Sequence, residues 1–148
     1  MVPFHIYTDG SSKQHKGVWI GATAVQVYLD GELIYTHTAV LNPATNNVAE
    51  LVAVMRGVYY CRKRNPKRPI KVFTDSGYVV TGINKLRRGE THKTNTDVWF
   101  AAATILSDSS IMIEQVKGHS GVVGNVAVDK LAYNKLTTTT NDRFELSN

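Results

Sequence analysis

Phe4-His5-Ile6-Tyr7-Thr8-Asp9-Gly10-Ser11 and Val72-Phe73-Thr74-Asp75-Ser76-Gly77 are approximate echoes of one another. Each is a β-rich run that closes on an aspartate followed by small, turn-forming residues, so each reads as a strand ending in a carboxylate. If the two strands are parallel neighbours, with the intervening chain as crossover, both carboxylates emerge at the carboxyl edge of one sheet. Open α/β sheets place their ligands at that edge. Asp before Ser or Gly is also an ordinary strand-terminating turn, so the echo alone leaves both readings open.

Outward from the first stretch, Trp19–Leu29 and Glu32–Leu41 are β-rich and flank Asp30-Gly31. That dipeptide signals a two-residue hairpin, whose favoured turn needs positive φ at both central residues, so the first three strands are expected to form an antiparallel meander. Thr45, Asn46 and Asn47 offer N-cap side chains for a helix over Val48–Arg64, whose apolar residues recur at helical spacing and wrap far around the cylinder, as in a largely buried helix. Ile70–Asp75 is the second strand ending in an aspartate, and Ser76 is placed to cap a short helix through Asn84. Asp97–Leu106 reads as a helix, Ile111–Val116 as a strand, and a last helix is expected from near Val122–Asn125 to Leu136. The expected organisation is one domain over 1–136 and a disordered tail over 137–148, the latter because Thr137–Thr140 is low in complexity.

The 148 residues suffice for one core without disulfides, and the single cysteine, Cys61, lies in an apolar helical pattern where it acts as a small hydrophobe. No apolar run approaches the ~20 residues of a membrane span, and no export signal precedes Phe4, so a cytoplasmic protein without a membrane partner is expected. The net charge of +5 favours a polyanionic partner or a solvated basic face. Much of the positive charge falls in Arg62–Arg68 and Lys85–Lys93.

Two further acids sharpen the first reading. Glu50 sits in the first turn of the mostly apolar helix, where an unpaired carboxylate is costly to bury unless a metal ion neutralises it. Exposure beside a helix N-terminus is the alternative. Asp129 lies in the last helix on the same face as Asn125. Four carboxylates beside apolar structure suit hard oxygen-preferring ions, Mg²⁺ or Mn²⁺, and no His/Cys spacing supports zinc.

Thr8-Asp9-Gly10-Ser11, Thr45-Asn46-Asn47-Val48-Ala49-Glu50, Thr74-Asp75-Ser76 and Lys117-Gly118-His119-Ser120-Gly121 with Asn125 and Asp129 follow one another in the order and spacing of the ribonuclease HI motifs. The chain resembles that family over roughly Phe4 to Leu136. The resemblance implies an α/β fold: a mixed five-stranded sheet, three antiparallel strands and then two parallel ones, flanked by helices. It implies an endonuclease that hydrolyses the RNA strand of RNA–DNA hybrids with two Mg²⁺ ions, Mn²⁺ substituting, and leaves 5′-phosphate and 3′-hydroxyl ends. Asp9, Glu50, Asp75 and Asp129 match the metal-binding carboxylates, and His119 matches the histidine that assists proton transfer or product release. Asn46 and Asn47 match minor-groove contacts, Thr45 and Asn95 match positions that hold a DNA-strand phosphate, and Ser11 and Asn125 complete the expected substrate-binding set. A monomer is expected.

The chain also departs from the pattern. Gly77 stands where a larger residue often reads the RNA, and Pro43 where some relatives supply a phosphate-binding arginine. The segment between Gly82 and Asp97 lacks the basic handle, leaving Lys85, Arg87, Arg88, His92 and Lys93 as candidate phosphate contacts. Rival readings are a junction resolvase or integrase-like nuclease of the same fold, a non-catalytic hybrid-binding module, and the nuclease domain of a reverse transcriptase. The start at a methionine just ahead of the first strand suggests a free-standing protein instead.

Overall fold

The computed structural model describes residues 1–117 and 123–146, with 123 and 139–146 described by their backbone alone. The elements are β1 (Phe4–His15), β2 (Val18–Leu29), β3 (Glu32–Leu41), α1 (Asn46–Arg64), β4 (Ile70–Thr74), α2 (Gly77–Arg87), α3 (Thr96–Leu106), β5 (Ile111–Gln115) and α4 (Val123–Leu146). The sheet order is β3-β2-β1-β4-β5. β1, β2 and β3 pair antiparallel, whereas β4 runs parallel to both β1 and β5. This is the expected mixed sheet. Asp30 and Gly31 make the expected hairpin turn, with φ of 52° and 81°.

The alternation of β1 and β2 gives the sheet two apolar faces. Phe4, Ile6, Val25, Val27, Ile70 and Val72 pack with Leu51, Val54 and Val58 of α1 and with Trp99, Ala102 and Leu106 of α3. The intervening positions meet α4: Ala24 packs with Val128 and Ala132, and Ile20 and Ala22 with Leu136. Cys61 is buried in the first core, where burial pushes its thiol up to about 12, consistent with a purely apolar role.

Two expectations are corrected. β1 does not stop at Asp9 but continues to His15, paired with β2 down to Val18. What ends near Asp9 is the parallel ladder with β4, whose last pair is Tyr7 with Phe73. A strand held on one side by a hairpin partner keeps its backbone bonds after the other neighbour departs. The last helix is also longer than expected. It continues past Leu136 to Leu146. No glycine or proline follows Gly124, and extending a nucleated helix through threonine costs only tenths of a kcal/mol per residue.

Candidate active site

The site forms where β4 leaves β1. Asp9 projects from β1 at that point, Asp75 immediately follows β4, and Glu50 comes from the first turns of α1. Thr45 caps α1, its hydroxyl accepting from the Val48 N–H at 3.4 Å. Gly10 allows α1 to sit against the strand: a Cβ there would lie 2.3 Å from the Glu50 backbone nitrogen. On the other side, Ser76 caps α2 by accepting from the Val79 N–H at 3.1 Å, fixing the chain directly after Asp75.

One ligand oxygen each from Asp9, Glu50 and Asp75 lies within 4.8 Å of the others. Asp9 and Glu50 are only 4% and 5% exposed. Burial first, then the Glu50 charge, pushes Asp9 up to about 10, and side-chain hydrogen bonds with Asp129 and Glu50 also favour its protonated form. Burial likewise lifts Glu50 to about 8, with the charges of Asp75 and Asp129 adding to it. Asp129, half-buried on α4, therefore belongs to the same electrostatic cluster, though it is not one of the three whose oxygens converge. Asn125, one turn earlier, is 3% exposed.

Like charges held this close destabilise the metal-free protein unless protons or cations neutralise them. The donor set fits a hard divalent ion: every ligand atom is a carboxylate oxygen, and Glu50 Oε2 is buried with no hydrogen-bond partner among the described residues. A buried acceptor of this kind suits coordination to a cation.

Around the acids the other expected residues separate by position. Asn46 and Asn47 are exposed in the first turn of α1, and Ser11 is half-buried on β1. Thr45 and Asn95, fifty residues apart, line one groove of ≈ 400 Å³ together with Trp19, Pro43 and Val48. Asn95 adopts a left-handed conformation at φ 52° ahead of α3, and its side chain does not cap that helix. Its amide donates to the Tyr78 hydroxyl at 2.9 Å, and the Trp99 indole N–H donates to the same oxygen at 2.9 Å. Tyr78 thus fixes Asn95. Sequence reasoning missed it, because a tyrosine at a helix start reads as packing. His119, with Gly118 and Gly121, lies outside the described residues.

The cations of the shortened segment behave otherwise than expected. Arg87 donates to the carbonyls of Leu106, Asp108 and Ile111, with Ile111 at 2.7 Å, tying α2 to the α3–β5 turn. Arg88 pairs with Glu90. The His92 ring stacks on Trp99 at 4.1 Å and bonds the Gly82 carbonyl. Arg87 and His92 are therefore structural, and their readings as phosphate contacts are withdrawn. Lys85 and Lys93 still line a groove beside Gly77 and Tyr78. The Arg62–Arg68 cluster is similarly engaged, Arg62 donating to the carbonyls of Pro66 and Arg68 and pairing with Asp108.

A family model described as RNase H matches residues 3–137. Ribonuclease H of Orientia tsutsugamushi (strain Boryong) is 30% identical over 143 residues, covering 90% of this chain and 82% of that protein. Among solved structures, LC11-RNase H1 in complex with an RNA/DNA hybrid superposes with a TM-score of 0.71 at 19% identity, covering 92% of this chain and 98% of that one. Prototype foamy virus protease-reverse transcriptase superposes with a TM-score of 0.74 at 24% identity, covering 91% of this chain and 21% of that one.

Proposed function

The chain belongs to the ribonuclease H family, and from that premise we propose that it hydrolyses the RNA strand of RNA–DNA hybrids with divalent cations held by Asp9, Glu50, Asp75 and Asp129. The observation that carries this reading is the convergence of Asp9, Glu50 and Asp75 within 4.8 Å, two of them buried and raised in pKa. A fold tolerates such crowding when the cluster's function is to bind cations.

Mg²⁺ ions bound there, with Mn²⁺ able to replace them, would lower the pKa of a bound water and neutralise charge on the departing oxygen. The carboxylates' own part is to hold oxygen ligands in place before substrate arrives, on a strand and a helix that cannot relax apart. Asn46 and Asn47, exposed at the start of α1, would meet the 2′-hydroxyls that RNA displays in the minor groove. Thr45 and Asn95 would donate to a DNA-strand phosphate in the groove they share, which registers the hybrid without reading its sequence. His119 would shuttle a proton or aid product release. The products would carry 5′-phosphate and 3′-hydroxyl ends.

The test is cleavage of an end-labelled hybrid of random sequence, with Mg²⁺, with Mn²⁺ and with EDTA, beside duplex DNA and a four-way junction. Cleavage confined to the RNA strand, dependent on the cation and lost in Asp9→Asn, supports the reading. Equal cleavage of duplex DNA or the junction, or full activity in EDTA, refutes it.

A further inference from the structure

The far end of α1 carries a second constellation that hybrid hydrolysis does not use. A groove of ≈ 370 Å³ between edge strand β3 and the C-terminal half of α1 is lined by Tyr35, His37, Arg56, Tyr59, Tyr60 and Lys63, with Ala39 at its end. At 1.5 Å per residue, Tyr59 to Lys63 lie about 14–20 Å along the helix from Glu50, so the groove is separate from the acids.

Four rings gather there. Tyr35 and Tyr60 stack with centroids 3.8 Å apart and planes 6° from parallel, and His37 continues the series 6.1 Å from Tyr35 at 14°. Tyr59 is 55% exposed, with the Lys63 ammonium 5.3 Å from its ring centroid. Arg56 is braced by donating to Thr23 Oγ1 at 3.1 Å, and Arg64 reaches the Tyr60 hydroxyl. Among the described residues no carboxylate lines the groove. Burial, with the positive fields of Arg56 and Lys135, lowers the His37 pKa, which keeps that ring neutral and available for stacking.

Flat rings set among cations without a counter-charge match a ligand that is both aromatic and anionic along its length. We infer that this groove binds single-stranded nucleic acid, a base stacking on Tyr59 while Arg56, Lys63 and Arg64 meet the flanking phosphates. Duplexes are disfavoured because their base faces are already stacked, whereas an unpaired strand presents a π-face at every base. The volume lies at the low end of the ~300–1,000 Å³ typical of ligand pockets, enough to seat a base rather than a helix.

The test uses the intact chain in EDTA, with a fluorescein-labelled oligothymidylate of about ten nucleotides followed by polarisation, within the range of single-strand sites. Tyr59→Ala combined with Lys63→Ala is expected to weaken binding by roughly tenfold or more, and Lys63→Ala alone to flatten the salt dependence by about 0.7 of a slope unit. Tyr59→Phe retains the ring and is expected to bind as wild type does. Cleavage of a short blunt-ended hybrid is expected to be unchanged in all three variants, so failure here is distinguishable from failure of the proposed activity. Unchanged affinity in the double variant overturns the inference, as does a polyglutamate peptide that binds the groove as tightly as the oligonucleotide. A loss in Tyr59→Phe equal to that in the alanine variant also overturns it, since stacking would then not be the contact.

Discussion

The acid cluster and the Lys85–Lys93 segment are both runs of charge that look functional in sequence, yet the fold treats them oppositely. It crowds Asp9, Glu50 and Asp75 together, raises the pKa values of Asp9 and Glu50, and gives Glu50 Oε2 no hydrogen-bond partner among the described residues. In the basic segment it supplies partners: Arg87 receives three carbonyls, Arg88 receives Glu90, and His92 receives Trp99 and Gly82. Charge satisfied within the fold holds structure together. Acids crowded so closely that protons or cations must neutralise them mark a cation-binding site instead.

The largest effect is expected at the acids. Asp9→Asn or Asp75→Asn should lower hybrid cleavage beyond about 10³-fold while far-UV circular dichroism stays native, since the change removes charge and keeps shape. Turnover within tenfold of wild type would break the comparison at its acidic side.

Arg87→Ala should instead cost stability. Removing a charged donor from three carbonyls is worth roughly 2–3 kcal/mol in urea melts, with the salt dependence of hybrid binding unchanged. Lys85→Ala/Lys93→Ala should do the reverse, leaving stability alone and flattening that dependence by up to about two slope units. If Arg87→Ala flattened the salt plot and the lysine pair did not, Arg87 would be a phosphate contact after all.

Tyr78→Phe keeps the ring but removes the oxygen that accepts from Asn95 and Trp99. A loss of about two- to tenfold in hybrid affinity is expected, with kcat nearly unchanged, from one hydrogen bond's worth of positioning. An affinity equal to wild type would mean that Asn95 needs no anchor.

The acids also predict a pH dependence. Folding raises the Asp9 and Glu50 carboxyls to about 10 and about 8, so above pH ~4 the native state holds protons that the unfolded chain has released. Metal-free stability should therefore fall as pH rises from about 4 through about 10, more steeply below about 8, where both groups contribute. Melting in EDTA at several pH values should show a decline that is shallower in Asp9→Asn and offset by added Mg²⁺. Identical slopes in wild type and Asp9→Asn would show that the cluster carries no such strain.

Sequence alone determined the elements and the chemistry of the acids. The Asp30-Gly31 turn, the Thr45 and Ser76 caps and the period of α1 are local signals, written within a few residues of where they act. Asp9, Glu50 and Asp75 were legible as strand-end and helix-start acids, and Asp129 was legible only through the motif series that resembles ribonuclease HI. What only the tertiary structure decided concerns partners distant in sequence. That Asp9 marks the end of a parallel ladder rather than of its strand depends on β2 continuing beside β1 after β4 has gone. That Arg87 binds carbonyls twenty residues away, that Tyr78 anchors Asn95, and that Tyr35 stacks on Tyr60 are all facts of packing. A side chain's choice between solvent, substrate and a buried carbonyl is set by what the fold brings within hydrogen-bond reach, and no local pattern encodes that.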